Sequence, residues 1–280
     1  MSDFTMRDQA PLTAQEWEAF DEVVVRVARR TLVSRRFLSI VGPLGAGVQS
    51  IASDSFEGAK AGQISLFAAE EEEDAVSVHR RRFVPVPLLH CDFVLNWRDL
   101  ETARQLGLPL ETTAAAIAAS AVAKAEDQLI FHGHDELEQR GFLNADERQQ
   151  LPLGDWSVSG AAFGAIVNAV EALVAANLQP PFTVIVPPQL FVLLNRVFDN
   201  TGVLEIEQVR RLVGGGVFMS PAMPPNTTVV VSPGPESMHL TIAQDLTVAF
   251  LETTSMEHRF RVLEALSLQI KQPRAVVVLE

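Results

Sequence analysis

A single cysteine, Cys91, stands in 280 residues, so no intrachain disulfide can form and nothing points to an oxidising compartment. The lone thiol reads as a small buried hydrophobe. Basic residues are short as well: 22 Lys and Arg face 35 Asp and Glu, a formal net charge of −13. Such a surface does not neutralise phosphates, so no nucleic-acid partner is expected. No stretch approaches the ~20 uncharged apolar residues of a membrane span, and the start of the chain has no apolar run behind a basic segment. A cytoplasmic protein without membrane contact is therefore expected.

The usual signatures of catalysis are missing too. Glycines 42, 45 and 47, and again 214, 215 and 216, fit neither a dinucleotide-binding nor a phosphate-loop pattern. No nucleophile elbow or zinc-protease helix motif appears. His132-Gly133-His134-Asp135-Glu136 gathers four candidate ligands but lacks helix-spaced histidines or a Cys-x-x-Cys knuckle, so an ordinary helix-to-loop junction is expected and no metal. The acidic run 70–74 lacks the spaced ligands and turn glycine of a calcium loop. These absences point to a structural protein rather than an enzyme.

What is present is a chain with 48% hydrophobic residues, enough to bury a large core. Thr13-Ala14-Gln15-Glu16 is a capping box and opens a helix predicted over 14–33, with Leu12 and Trp17 as its hydrophobic staple. Trp17, Phe20, Val24 and Val27 form the apolar stripe. A short strand is expected over 34–41, followed by an irregular Gly-Pro turn. Residues 48–86 show no helical period, only β-prone pieces at 63–67 and 76–84, which predicts a two-stranded arm that needs another surface to lie on. A strand follows at 90–95. Helices are predicted at 111–131, with Ala114, Ile117, Ala118, Ala121, Val122, Ala125 and Leu129 on one face, and at 159–177. Thereafter come strand 182–186, helices 188–198 and 204–213, and strands 227–231, 239–243, 247–251, 260–270 and 275–279. Helices and strands are segregated, an α+β pattern.

The ordered segments Ala10-Pro11-Leu12-Thr13, Arg35-Arg36-Phe37-Leu38-Ser39-Ile40, Gly42-Pro43-Leu44-Gly45, Trp97-Arg98-Asp99, Glu126-Asp127-Gln128-Leu129-Ile130-Phe131-His132-Gly133, Gly141-Phe142-Leu143, Thr201-Gly202-Val203-Leu204-Glu205, Gln244-Asp245-Leu246 and Phe260-Arg261-Val262-Leu263-Glu264-Ala265 closely resemble encapsulin nanocompartment shell proteins, the linocin-like bacteriocin family. The resemblance covers essentially the whole chain. It implies the HK97 phage-capsid fold, with an N-terminal helix and strand at 1–47, an extended E-loop at 48–86, a peripheral domain with its spine helix at 87–180, an axial domain at 181–237, and return strands of the peripheral domain at 238–280.

It also implies function: self-assembly into an icosahedral nanocompartment that encapsulates cargo through a short C-terminal targeting peptide. The cargo expected is a ferritin-like, iron-oxidising and iron-storing protein or a dye-decolourising peroxidase. The implied peptide groove includes Arg35 and Asp245 as polar anchors and Phe20, Val24, Val27, Leu32 and Leu246 as apolar walls. Ser39 falls where the family carries an acid, so an acidic contact with the peptide is not expected there. Asp199, Asn200, Thr201, Gly202, Val203 and Leu204 would line a pore, with Asp199 favouring cations. Trp97 is expected to pack in the core or an interface, with flavin contact as the alternative that some members suggest. Within the same fold the rival is a prophage major capsid protein, disfavoured because the chain opens directly on the capped Trp17 helix.

Overall fold

The computed structural model describes residues 4–57, 77–198 and 202–280. Helix α1 spans Ala14–Thr31 and opens on the expected box: the Thr13 N–H donates to Glu16 Oε2 at 2.7 Å and the Glu16 N–H donates to Thr13 Oγ1 at 3.3 Å. Arg104 clamps the same carboxylate at 2.9 Å and donates to the Pro11 carbonyl at 2.7 Å, tying the helix start to a second helix. That helix, α2 (Trp97–Leu106), is absent from the sequence reading. It is short and polar, with Leu100 its only buried residue, so it offers little apolar period to detect.

The predicted strand over 34–41 is a tight 3-10 turn, Ser34–Arg36, followed by a two-residue strand, β1 (Ile40–Val41). The turn wins because Asp127 accepts from the Val33 and Ser34 backbone N–H groups, each at 3.0 Å, and from Ser34 Oγ at 2.7 Å. Those bonds hold the backbone away from any strand ladder. The arm is a hairpin of β2 (Ser50–Glu57) and β3 (Ser77–Pro85). Its expected piece at 63–67 and the acidic run 70–74 lie outside the described residues.

Two sheets carry the rest. In the first, β1, β9 (Met238–Thr254), β10 (Glu257–Ile270) and β4 (Leu88–Asn96) lie in that order. Helices α1 and α3 (Thr113–His132) pack on it around Trp17, Phe20, Phe93, Val248, Phe260 and Val262. Phe93 stacks on Phe260 at 5.3 Å between ring centroids, and Trp17 meets Phe260 edge-on at 5.7 Å. The α3 face differs from the expected one. Ala115, Ala118, Ala119, Val122 and Ala123 are buried, whereas Ile117 is 66% exposed. The small side chains let α1 and α3 approach closely, so the stripe follows the alanines rather than the largest apolar residue. Gly133 ends α3 with φ +70°, and a Cβ there would collide with the Gln139 carbonyl, so only glycine fits.

The second sheet runs β5 (Gln149–Leu151), β11 (Val276–Leu279), β8 (Thr228–Val231), β6 (Phe182–Val186) and β7 (Gly214–Met219). Helices α4 (Ala161–Ala175), α5 (Pro188–Leu194) and α6 (Glu205–Val213) accompany it. The triple glycine opens strand β7 beside Phe182. Strand β11, assigned to the peripheral return, pairs with β8 and β5 in this second sheet. Helix α4, assigned to the segment before 180, packs on α6, β8 and β11. The last strand thus lies in the sheet of β6, β7 and β8, apart from β9 and β10.

Strands β9 and β10 form one long hairpin turned at Ser255 and Met256, both at positive φ (53° and 64°). The gap expected between strands 239–243 and 247–251 is a bulge in β9. The register passes from Leu263↔Thr247 to Ala265↔Gln244, leaving Asp245 and Leu246 on one strand and Glu264 on the other outside regular pairing. Such a bulge re-aims side chains. Here it turns Asp245 and Glu264 toward the 3-10 turn after α1.

Candidate functional site

A cleft of about 390 Å³ opens between the second half of α1, the Ser34–Arg36 turn and the β9 bulge; Val25, Ala28, Leu32 and Leu246 supply its apolar walls. Arg29, Arg35, Arg36 and Asp245 supply its polar ones. Of the residues the sequence proposed for the groove, Leu32, Arg35, Asp245 and Leu246 are brought together here. Val27 is half-buried and packs toward the core beside them. Phe20 and Val24 are a correction: at 0% and 1% exposure they lie under the helix and cannot be walls of the folded cleft. Ser39 does not line it either. Its carbonyl accepts from the Leu240 N–H at 2.8 Å, seating β1 against β9.

Helix α1 carries two apolar stripes. Trp17, Phe20, Val24 and Ala28 face the core, while Val25, Ala28 and Leu32 step along the helix at intervals of three and four on the adjoining face. Val25, an apolar residue with 41% of its surface exposed, marks the second stripe.

Arg35 closes the cleft floor. Its Nε donates to Glu126 Oε1 at 2.8 Å and its Nη2 to Glu126 Oε2 at 2.8 Å, a bidentate pairing. The same Nη2 donates to Glu264 Oε2 at 2.8 Å, and Nη1 donates to Asp245 Oδ1 at 2.7 Å. Glu126 and Glu264 have side chains 0% and 1% exposed, whereas Asp245 is 61% exposed at the cleft mouth. Burial pushes the carboxyls of both Glu126 and Glu264 up, and Arg35 only partly offsets it; Glu264 lies well above the usual range because the Glu126 charge adds to its burial. Burial also raises Asp127 against the pull of its bonds from Ser34 and Val33. For Arg35 burial disfavours the charge, but the carboxylates, Glu126 foremost, outweigh it and hold the guanidinium protonated. Glu126, Asp127 and Glu264 were quoted in the sequence only as part of family-like segments. Their signal was a charge set in an otherwise apolar helix face or strand.

The other candidates lie elsewhere. Asp199, Asn200 and Thr201 are outside the described residues. Around them the Phe198 N–H donates to the Val203 carbonyl at 2.8 Å, Val197 bridges Leu204, and Gly202 takes φ +74°. Arg196 braces this base, pairing with the buried Glu205 at 3.1 Å and donating to the Ser157 carbonyl at 2.7 Å. Trp97 is the first residue of α2, with 37% of its surface exposed and its backbone N–H on the Met256 carbonyl at 3.2 Å. It is not a core residue. Among the described residues no group of three or more His, Cys, Asp or Glu is arranged to hold a metal, and no helix is long and apolar enough to cross a membrane.

A two-sheet body with a long antiparallel hairpin, a spine-like helix and a projecting two-stranded arm is the architecture of HK97-type capsid proteins. The virus-like particle from Pyrococcus furiosus matches it with a TM-score of 0.78 over 95% of this chain and 100% of that chain, at 21% sequence identity. The fold is thus that of HK97-type capsid proteins. The chain belongs to the Linocin_M18 family, described as encapsulating protein for peroxidase, whose model matches residues 2–267. It is 43% identical over 280 residues to the type 1 encapsulin shell protein EncA of Myxococcus xanthus (strain DK1622), covering 100% of this chain and 97% of that one. It is 34% identical over 269 residues to a diheme-cytochrome-encapsulin shell fusion protein of Kuenenia stuttgartiensis, covering 96% and 74%. Membership places the chain among shell proteins, not catalysts.

Proposed function

We propose that copies of this chain close into an icosahedral compartment and hold a cargo protein through a short, mainly apolar C-terminal targeting peptide seated in the α1–β9 cleft. The cleft carries this reading: Val25, Ala28, Leu32 and Leu246 form an apolar trough edged by Arg29, Arg36 and Asp245. Burial of two or three aliphatic side chains of ~1.5–3 kcal/mol each is ample for such a peptide, and the rim charges set its register. The cargo class we favour is a redox or iron-handling protein, ferritin-like or a dye-decolourising peroxidase. The peroxidase in the family's description and the diheme cytochrome fused to one relative support that class.

The test is co-expression of the chain with a fluorescent protein bearing the C-terminal tail of a candidate cargo. Closed particles carrying the reporter are expected by electron microscopy and fluorescence of the purified fraction. The variant Val25→Glu, which places a charge in the trough without touching the core, should assemble equally and load several-fold less. Small oligomers only would sink the shell reading, and equal loading of the variant would sink the cleft.

A further inference from the structure

The Arg35 junction contains more buried carboxyls than cations. Glu126 and Glu264 are sealed from solvent and Arg35 alone lies between them. Every oxygen of Glu126 receives a guanidinium N–H, and so does Glu264 Oε2. Glu264 Oε1 is the exception: it is buried and receives no hydrogen bond from any described residue. A bare carboxylate oxygen in that position would be desolvated, unpaired and next to a second anion, three penalties at once. A carboxylic acid there has none of them, because its own O–H can donate to Glu126.

We propose that Glu126 and Glu264 hold one proton between them, and that losing it unseats the β9 bulge from the turn after α1 and opens the cleft. With the proton, Arg35 and the two glutamates sum to zero charge, and Nη1 remains available to Asp245. Without it the floor carries −1 and repels Asp245, the nearest anion on β9, whose carboxylate also holds the bulge by accepting from the Leu246 N–H at 2.9 Å. Among the described residues no other cation pairs with either carboxylate. On the turn, Arg36 donates to the Arg30 carbonyl and acts on Asp127; Arg29 is on the cleft rim; Asp127 of α3 is occupied by Ser34 and Val33; and on β4 the uncharged Leu89 stands opposite Glu264. The affinity of Glu126 and Glu264 for a proton is raised by folding. The sign is therefore fixed: the stabilisation is complete below the ordinary carboxylate range and is lost as pH rises through the raised folded value. The consequence for cargo rests on the peptide reading of the cleft, whereas the proton itself does not.

Hydrogen exchange on assembled shells without cargo tests the proton separately from the loading experiment. After correction for the intrinsic rate, protection of segments 28–36 and 243–248 is expected to fall roughly tenfold or more as pH rises from the ordinary carboxylate range to the alkaline side of the pair's raised folded value. Glu264→Gln, whose amide replaces the O–H donor and cannot titrate, should hold that protection flat. Flat protection in the unmodified shell, or a parallel loss in Glu264→Gln, would overturn the proposal. Should Glu264→Gln fail to assemble, infrared spectra of shells with ¹³C-labelled glutamate decide it. A protonated-carboxyl C=O band that persists above the ordinary carboxylate range and disappears in Glu126→Gln or at alkaline pH supports the shared proton, and its absence refutes it. A reporter that never loads while the exchange switch persists would remove the cargo reading and leave this one standing.

Discussion

The two sheets of this protein are stabilised differently. In the second, β6, β8 and β11 are buried along their whole length, and Val184, Ile185, Val229, Val230, Val276 and Val277 pack with α4 and α6 as a dry apolar layer. The first sheet buries a comparable aromatic cluster but is interrupted at the β9 bulge, where one arginine joins three carboxylates from three elements. A core that served stability alone would gain by replacing such a junction with well-packed apolar residues. The polar junction lies directly under the proposed peptide cleft.

The largest effect that separates the two regions is expected from Arg35→Ala. It strands two buried carboxyls without a cation, a change that costs about 3–5 kcal/mol when a buried pair is broken. The loss should deepen as pH rises, because both glutamates escape their burial penalty only by taking up protons. Urea unfolding at acidic and alkaline pH measures this directly. A small, pH-independent loss would mean that the junction is no more than surface decoration. Implied as a peptide anchor, Arg35 is also bound into the fold by its contacts to Glu126 and Glu264.

In the dry sheet the matching probe is Leu173→Ala on α4, fully buried in the second core. It should cost about 2–5 kcal/mol through lost burial and the cavity left behind. Unlike Arg35→Ala, that cost should be the same at acidic and alkaline pH, since Leu173 packs within an apolar cluster. A strong pH dependence here would erase the contrast between the sheets. Smaller still is Thr13→Ala at the start of α1. Losing the cap costs ~0.5–2 kcal/mol, and the low end is expected because Arg104 keeps Glu16 in place. Thermal denaturation of the shell in the two backgrounds checks it.

How far the sequence foretold this contrast depends on periodicity. Strand β6 and helix α6 stood out within a residue, since both are bounded by proline or glycine and carry uninterrupted patterns. The capping box at Thr13 was legible because its chemistry is local. What failed was non-local. Gln244-Asp245 looks like a turn, and only pairing with β10 makes it a bulge within one long strand. Residues 34–36 looked extended until Asp127, more than ninety positions away, captured their N–H groups. The family resemblance implied Phe20 as a groove wall, but it belongs to the core-facing stripe of α1. The family segments led to Arg35 and Asp245, but which acid lies within the fold and which faces solvent is a property of the assembled sheet.

Asp245→Asn is the gentlest test and the sharpest one for the cleft. Of the three partners of Arg35 it alone is largely exposed, so its ion pair contributes little to stability, about 0–1 kcal/mol. The asparagine keeps an oxygen where Oδ1 accepts from the Leu246 N–H, which preserves the bulge. Particle yield and urea midpoint should therefore match the unmodified shell closely. Loading is a different matter, because the substitution removes the anion at the cleft mouth while Arg35, Arg29 and Arg36 remain. If the peptide docks there with a backbone N–H or a basic side chain toward Asp245, capture of a tail-bearing reporter should fall several-fold, and more steeply at low salt, where surface charge acts furthest. Unchanged loading at both ionic strengths would restrict recognition to the apolar trough of Val25, Ala28, Leu32 and Leu246, leaving Asp245 as the outer latch of the Arg35 junction and nothing more.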